Sequence, residues 1–417
     1  MQVRYLTQCR ACGSPKRRSF LNLKEMPLTD DFIPKERFGR EFRHDIEVFL
    51  CPDCLTVQTQ HDVDMGEYYE DYQYAVGTSG TANRFMRLLA ANLIERYQTG
   101  RATLRVLEIG SGDGVQLLAF KELGCEVMGF EPSLTLAHEA EMKGIPTIKG
   151  LFTADSVQKL PEAFREVDVV MLSYTFDHLP HPREFLAAAR GILNKEHGLL
   201  VVEIHDLEKI LRRREYCLFE HEHTVYLTEA TAAAMAAREG LTVIDFNLVP
   251  ESARRANSLI FVATPEGSLL AQRFPPARPA TPVEFGESGF YEKQAASMAR
   301  GVENIDKFVT RLAGEGKTVA GYGAGGRGVM TLAAMRNARE LRYLVDKKPK
   351  HAGLLAPKSG IPVVGLSALA DDPVDEVLVF SFGYLDEIRA DLSPLGYKSS
   401  QCHSLMDVLS DGPGSSV

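Results

Sequence analysis

Val106-Leu107-Glu108-Ile109-Gly110-Ser111-Gly112-Asp113-Gly114 is the stretch on which the reading of this chain turns. An apolar run carrying one acid ends in glycine at every second position, and Val115-Gln116-Leu117-Leu118 then takes up helical spacing. Glycines between a strand and a helix let the chain turn sharply and let its backbone approach a ligand closely. The next apolar run, EVMGFEP, closes on Phe130-Glu131, where an acid can accept from both hydroxyls of a ribose. Dinucleotide sites and S-adenosylmethionine sites share this logic, so the glycines by themselves leave both open.

Outward from this loop, strands and helices alternate. LRVLEIG, EVMGFEP, VDVVMLSY and GLLVVEIH read as strands; VQLLAFKELG, SLTLAHEAEMKG and REFLAAARGIL read as helices. The alternation predicts an α/β fold with an open, mostly parallel sheet covered on both faces. NRFMRLLAANLIER, before the loop, has helical spacing. Residues 265–286 carry several prolines and read as a connector, followed by a long helix over roughly Tyr291 to Gly314. A second alternation starts at Thr318-Val319-Ala320-Gly321-Tyr322-Gly323 and includes LRYLVD and EVLVFSFG. The division expected is therefore 1–75, 76–265 and 266–417.

Composition excludes some classes. The net charge of −9 argues against a protein that wraps duplex nucleic acid by neutralising phosphates. No apolar run approaches the length of a membrane span. The first residues, MQVRYLTQCRACG, lack the apolar core of a signal peptide, and the chain is read as cytoplasmic.

Seven cysteines in such a chain do not suggest a disulfide framework. Four of them form two matched pairs, Cys9-Arg-Ala-Cys12 and Cys51-Pro-Asp-Cys54. Two intervening residues let both thiolates of a tight turn face one ion, so two such turns complete a tetrahedral structural zinc site. Cys125, Cys217 and Cys402 have no partner at metal spacing and read as small buried apolar residues.

Glu108 before a G-x-G-x-G pattern resembles motif I of class I S-adenosylmethionine methyltransferases. That resemblance implies that Glu108, Gly110, Gly112, Asp113, Glu131 and Pro132 hold the methyl donor, with Glu108 towards its methionine end. Ser173-Tyr174-Thr175-Phe176-Asp177-His178 resembles the segment that faces substrate in such enzymes. It also puts His178 at a strand's carboxyl end, where ligands bind in doubly wound sheets; His181 follows three residues later. The double CxxC, the methyltransferase core and the C-terminal Gly321-Tyr322-Gly323-Ala324 together resemble the nucleotide-sugar 3-C-methyltransferases of deoxysugar biosynthesis, over nearly the whole chain. The resemblance implies a zinc-binding N-terminal domain, a class I (Rossmann-like) methyl-donor domain, and a second Rossmann-like domain that helps hold a small-molecule nucleotide sugar. It implies methylation of carbon 3 of a 4-keto sugar.

Carbon becomes a nucleophile only when a proton beside a carbonyl is removed, and a neutral His is the natural base near pH 7. The family's Glu-His pair matches Glu222-His223, so the resemblance implies His223 as base and Glu222 as its orienting partner. A tyrosine following the zinc domain matches Tyr72 or Tyr74. Tyr322, Arg327, Arg254, Arg255 and His221 are the expected substrate contacts, and Asp346 sits where a Rossmann unit holds a ribose. The chain departs from the family at Glu220, where a tyrosine is usual, and at residues 251–258, 323–328 and 381–384, which bear on the substrate more than on the reaction. An O- or N-methyltransferase, a zinc-dependent binding protein with a relic core, and a nicotinamide enzyme remain as rival readings. A monomer or homodimer is expected, without nucleic-acid or membrane partners.

Overall fold

Strand Arg105–Ile109, which delivers the glycine turn, lies in the middle of a seven-stranded sheet. Its neighbours run in the order Thr147–Lys149, Glu126–Glu131, Arg105–Ile109, Val169–Ser173, Leu199–Ile204, Leu259–Pro265 and Leu241–Phe246. The structure is a computed structural model that describes residues 1–70, 72, 77, 79–98, 100–101, 103–255, 257–347 and 351–410. The first five of these strands pair in parallel, while Leu259–Pro265 runs antiparallel to both of its neighbours. The strands are apolar on both faces because both faces are covered. Leu107, Val170, Leu172, Leu200 and Val202 pack into one apolar cluster, and Val106, Val169, Met171, Leu199 and Val201 into another. The doubly wound sheet that the alternating pattern predicts is thus present, and the carboxyl ends of its strands set the place of the site.

The cysteine pairs sit at the turns of an antiparallel sheet made by Arg18–Pro27, Arg43–Leu50 and Val57–Thr59. A fourth strand, Val225–Tyr226, joins this sheet from the far side of the sequence by pairing with Val57–Thr59. Those two residues directly follow Glu222-His223-Thr224, so the N-terminal sheet holds the very segment expected to carry the base.

Five parallel strands make the C-terminal sheet, in the order Val363–Gly365, Leu341–Asp346, Val319–Tyr322, Glu376–Val379 and Cys402–Ser404. The long helix spans Phe290–Gly314. Its Tyr291, Met298, Ile305, Val309 and Leu312 share one apolar cluster with Ile46 and Val48 of the N-terminal sheet, Leu218 and Phe219 of the central segment, and Leu344 and Leu378 of the C-terminal sheet. One core therefore binds all three parts around residues 218–226. Cys125, Cys217 and Cys402 are buried, as expected of small apolar residues. No helix among the described residues is long and apolar enough to cross a membrane.

Candidate active site

A cavity of about 1080 Å³ opens at the carboxyl ends of the central strands. At one end it is lined by Glu108, Gly110, Gly112, Asp113, Glu131 and Pro132; at the other, by Gly325, Gly326, Arg327, Asp346 and Tyr384 of the C-terminal part. Between them lie Tyr69, Tyr72, His178, His205, Glu220, Glu222 and His223.

The first end is shaped by the glycine turn. Gly110 has φ 70° and a Cβ there would stand 2.4 Å from Thr175 Oγ1, so only glycine lets strand and neighbouring turn close together. Glu131 accepts from Gly112 N at 2.7 Å and Ser133 N at 2.8 Å, which fixes its carboxylate at the strand end. Burial raises the Glu131 carboxyl above its ordinary value. Glu108 is buried and its Oε2 has no hydrogen-bond partner among the described residues. Burial also pushes the Glu108 carboxyl well up, with Arg255 opposing. An orphaned buried acid is costly unless a ligand supplies the missing donor. A cationic amino group beside Glu108 and ribose hydroxyls at Glu131 would satisfy both, which is the donor set of S-adenosylmethionine. Glu108→Gln removes the charge that meets the ammonium. It is expected to raise the calorimetric Kd for S-adenosylmethionine roughly ten- to hundredfold, the value of about 1.5–3 kcal/mol for a charge-assisted hydrogen bond.

In the middle, three imidazoles cluster, His178 edge-on to His223 and His205 tilted against it. The His223 ring centroid lies 4.9 Å from that of His178 and 4.8 Å from that of His205. His223 Nδ1 donates to Leu218 O at 2.7 Å, which leaves Nε2 as the basic nitrogen, 3.8 Å from Glu220 Oε2. His205 Nδ1 is 2.8 Å from Asp177 Oδ2, and His178 Nδ1 is 3.0 Å from Tyr69 Oη. Burial drives His178 and His205 down to about 4, so both are neutral at pH 7. His223 is the exception: burial would lower it, yet Glu220 and Asp177 outweigh burial and hold it above its ordinary value. Asp177, against its burial, is depressed by its bond to His205. One atom each of Asp177, His205 and His223 lies within 4.8 Å of the others, a spacing a cation could use; Asp177 and His205 are also hydrogen-bonded to each other at 2.8 Å.

The hydrogen bonds of Glu222 go to the N-terminal part rather than to the His223 ring. Its Oε1 accepts from Thr29 N at 2.9 Å, Thr29 Oγ1 at 2.7 Å and Tyr68 Oη at 2.9 Å, while its Oε2 has no hydrogen-bond partner among the described residues. Tyr72 lines the cavity, and its carbonyl accepts from Ser133 Oγ at 2.6 Å, across the donor end. Tyr74 lies outside the described residues. His221 borders the cavity, but its ring faces the N-terminal sheet, with Nε2 donating to Met26 O at 2.9 Å and Nδ1 2.9 Å from His61 Nε2. His181 also borders the cavity and is half exposed, 4.0 Å from Glu184.

The candidate substrate contacts separate. Arg327 lines the cavity, bonds Glu215 Oε2 at 3.3 Å and lies 5.0 Å over the Phe382 ring. Arg255 also reaches the cavity, but its Nε donates to Glu203 Oε1 at 3.0 Å and its guanidinium lies 4.6 Å over Tyr174. Arg254, one residue earlier in extended chain, points the other way, to Glu251, Asn247 and Ser258 O. Tyr322 is buried in the apolar cluster on the other face of the C-terminal sheet and does not line the cavity.

The four cysteine sulfurs lie within 4.8 Å of one another, with Cys9–Cys54 and Cys12–Cys51 each at 3.6 Å. A tetrahedron of Zn–S bonds of about 2.3 Å has edges of about 3.8 Å, so the set fits zinc. Gln58 Nε2 donates to Cys9 Sγ at 3.0 Å, as an outer partner should. Arg10, inside the first CxxC, reaches from this cluster towards the cavity: Nη1 donates to Thr59 O at 2.7 Å and to Thr224 O at 3.4 Å. Thr59 Oγ1 in turn donates to His223 O at 3.3 Å.

Sequence reasoning passed over Tyr68, Tyr69, Asp177, His205 and Glu220 as contributors. His205 ends the strand GLLVVEIH, so the rule that singled out His178 at a strand's carboxyl end would have found it.

Residues 9–69 match a zinc binding domain, residues 82–245 a methyltransferase domain, and residues 281–402 a C-methyltransferase C-terminal domain. The C-methyltransferase NovU of Streptomyces niveus is 27% identical over 393 residues, covering 93% of this chain and 92% of that protein. Among solved structures, the CcbJ methyltransferase of Streptomyces caelestis is 15% identical with a TM-score of 0.35, covering 49% of this chain and 97% of its own. Magnesium protoporphyrin IX methyltransferase of Synechocystis PCC 6803, with bound S-adenosylmethionine, is 14% identical with a TM-score of 0.34, covering 48% and 88%.

Proposed function

Because this chain belongs to the zinc-binding, S-adenosylmethionine-dependent C-methyltransferases, we propose that His223 is the base that prepares the acceptor carbon. We propose further that the acceptor is a nucleotide-linked 4-keto-deoxysugar, methylated at carbon 3. The observation that carries this reading is the state of His223. It alone of the three clustered imidazoles is raised in basicity, and its Nδ1 is occupied, which leaves Nε2 as the basic nitrogen in the cavity between the two ends.

S-adenosylmethionine, when bound, supplies a methyl group made electrophilic by a sulfonium. The protein's own residues do the rest. Glu108 and Glu131 orient the donor along the glycine turn. His223 Nε2 takes the proton from the carbon beside the ketone, and the electron pair stays on the acceptor as an enolate. His178, neutral and held by Tyr69, is placed to donate to the developing oxyanion. Tyr72 closes over the donor end through Ser133. Arg327 and Asp346, at the opposite end of the cavity, suit a diphosphate and a ribose. Arg255 serves by fixing Tyr174 and Glu203 rather than by gripping phosphate.

The test is product structure. The zinc-loaded protein is incubated with 13C-methyl-labelled S-adenosylmethionine and a panel of 4-keto nucleotide sugars. A labelled methyl coupled to carbon 3 is the expected result. A labelled methyl on oxygen or nitrogen, or no product from any keto sugar, would move the acceptor to another class.

A further inference from the structure

Glu220 is a buried acid of the cavity to which the reaction above gives no role. Its carboxylate stands 3.8 Å from His223 Nε2 and lines the cavity. The C-terminal glycine loop backs it: a Cβ on Gly326 would lie 2.6 Å from Glu220 Oε1, so this loop and the carboxylate are in direct contact. His223 is restrained from the other side by its bond to Leu218 O. The two side chains therefore meet out of bulk water, where an opposite charge acts strongly.

Asp177 and Glu222 also favour a charged His223, but both are hydrogen-bonded to other groups, and the remaining ionisable groups around the pair are engaged elsewhere or neutral. Asp177 is bonded to His205, and Glu222 Oε1 to Thr29 and Tyr68. His178 and His205 are uncharged at pH 7, and Tyr69 and Tyr226 are raised further above their already high values by burial. Arg327, across the cavity, bonds Glu215. Glu220 is thus the carboxylate positioned to answer a charge on Nε2.

Resting on the reading of His223 as base, we propose that Glu220 is its counter-ion, a positioning residue whose carboxylate stabilises the imidazolium formed when the acceptor carbon loses its proton. The C–H bond breaks and an N–H bond forms at Nε2. The bonding pair remains on the acceptor, and Nδ1 keeps its own proton on Leu218 O. After methyl transfer the imidazolium returns its proton to water. Burial pushes the Glu220 carboxyl up to about 7 while His223 pulls it down, and Glu220 is the largest influence holding His223 up. The two therefore titrate as a pair. A stronger base is matched to a weak carbon acid, and the activity requires the form in which Nε2 is free, so activity rises with pH through the titration of His223.

The experiment uses the full-length zinc-loaded protein with histidine labelled in 13C and 15N and with S-adenosylhomocysteine bound. The ring signal of His223, assigned with His223→Asn, is followed against pH. Glu220→Gln is expected to lower its midpoint by about one to three pH units. The acid limb of kcat moves down by the same interval, the plateau falls about tenfold, and KM for the acceptor is unchanged. Glu220→Asp keeps the charge and recovers part of the midpoint. A midpoint in Glu220→Gln equal to that of the unmodified protein overturns the proposal while leaving the base reading in place. A kcat in His223→Asn equal to that of the unmodified protein overturns both.

Discussion

Replacing Cys51 with serine, or stripping zinc with a chelator, is expected to abolish methyl transfer while leaving S-adenosylmethionine binding largely intact. The reason is the path from the metal cluster to the base. Cys9 and Cys12 flank Arg10, whose guanidinium holds Thr59 O and Thr224 O, and Thr59 holds the carbonyl of His223. Val57–Thr59 also pairs with Val225–Tyr226 just beyond the base. Small zinc domains fold on their ion, so loss of a ligand releases this sheet. A displacement of about 1 Å at a reacting group costs on the order of 10²-fold in rate, so kcat is expected to fall by about 10²-fold or more. The donor residues hang on the carboxyl ends of Arg105–Ile109 and Glu126–Glu131, which pair with each other inside the seven-stranded sheet and share only apolar packing with Cys9, Ala11 and Cys51. Calorimetry with S-adenosylmethionine alongside turnover separates the two effects. Full turnover in metal-free protein would remove the zinc cluster from any role in placing His223.

His223→Asn is expected to lower kcat by about 10²- to 10⁴-fold, the contribution of a general base. The amide keeps a polar group near the Leu218 carbonyl but has no basic nitrogen at physiological pH. Kd for S-adenosylmethionine and KM for the acceptor should stay close to their original values, because the donor end and the Arg327 end are untouched. Parallel loss from His178→Asn or His205→Asn is expected to be smaller, since both are neutral and bonded to Tyr69 and Asp177. Equal losses from all three would spread the proton transfer over the cluster.

Much of this arrangement is legible in the sequence where it is written locally. The G-x-G-x-G turn with Glu108 and Glu131 needs only a strand, a turn and a helix, and the structure places those residues around one end of one cavity. The two CxxC pairs are each self-contained turns, and their convergence follows from sharing one ion. What was not legible depends on distant pairings or on which face a residue takes. Arg254 and Arg255 look alike in sequence, yet successive residues of extended chain point to opposite sides, and only Arg255 enters the cavity. Tyr322 closes a strand, and its ring goes to the apolar face of the C-terminal sheet, away from the glycine loop that follows it. Within the tyrosine-rich stretch Glu67 to Tyr74, the short helix Gly66–Glu70 decides that Tyr68 meets Glu222 and Tyr69 meets His178. Glu220 faces His223 with Gly326 packed behind it, a long-range contact that no local pattern announces.

The most direct measurement follows the acceptor's own hydrogen. The zinc-loaded protein is held in deuterated water with S-adenosylhomocysteine and a 4-keto nucleotide sugar, so that no methyl can move. Deuterium should enter at carbon 3 with the original protein and fail to enter with His223→Asn. Exchange at the same rate in both proteins would contradict the assignment of the proton transfer to His223.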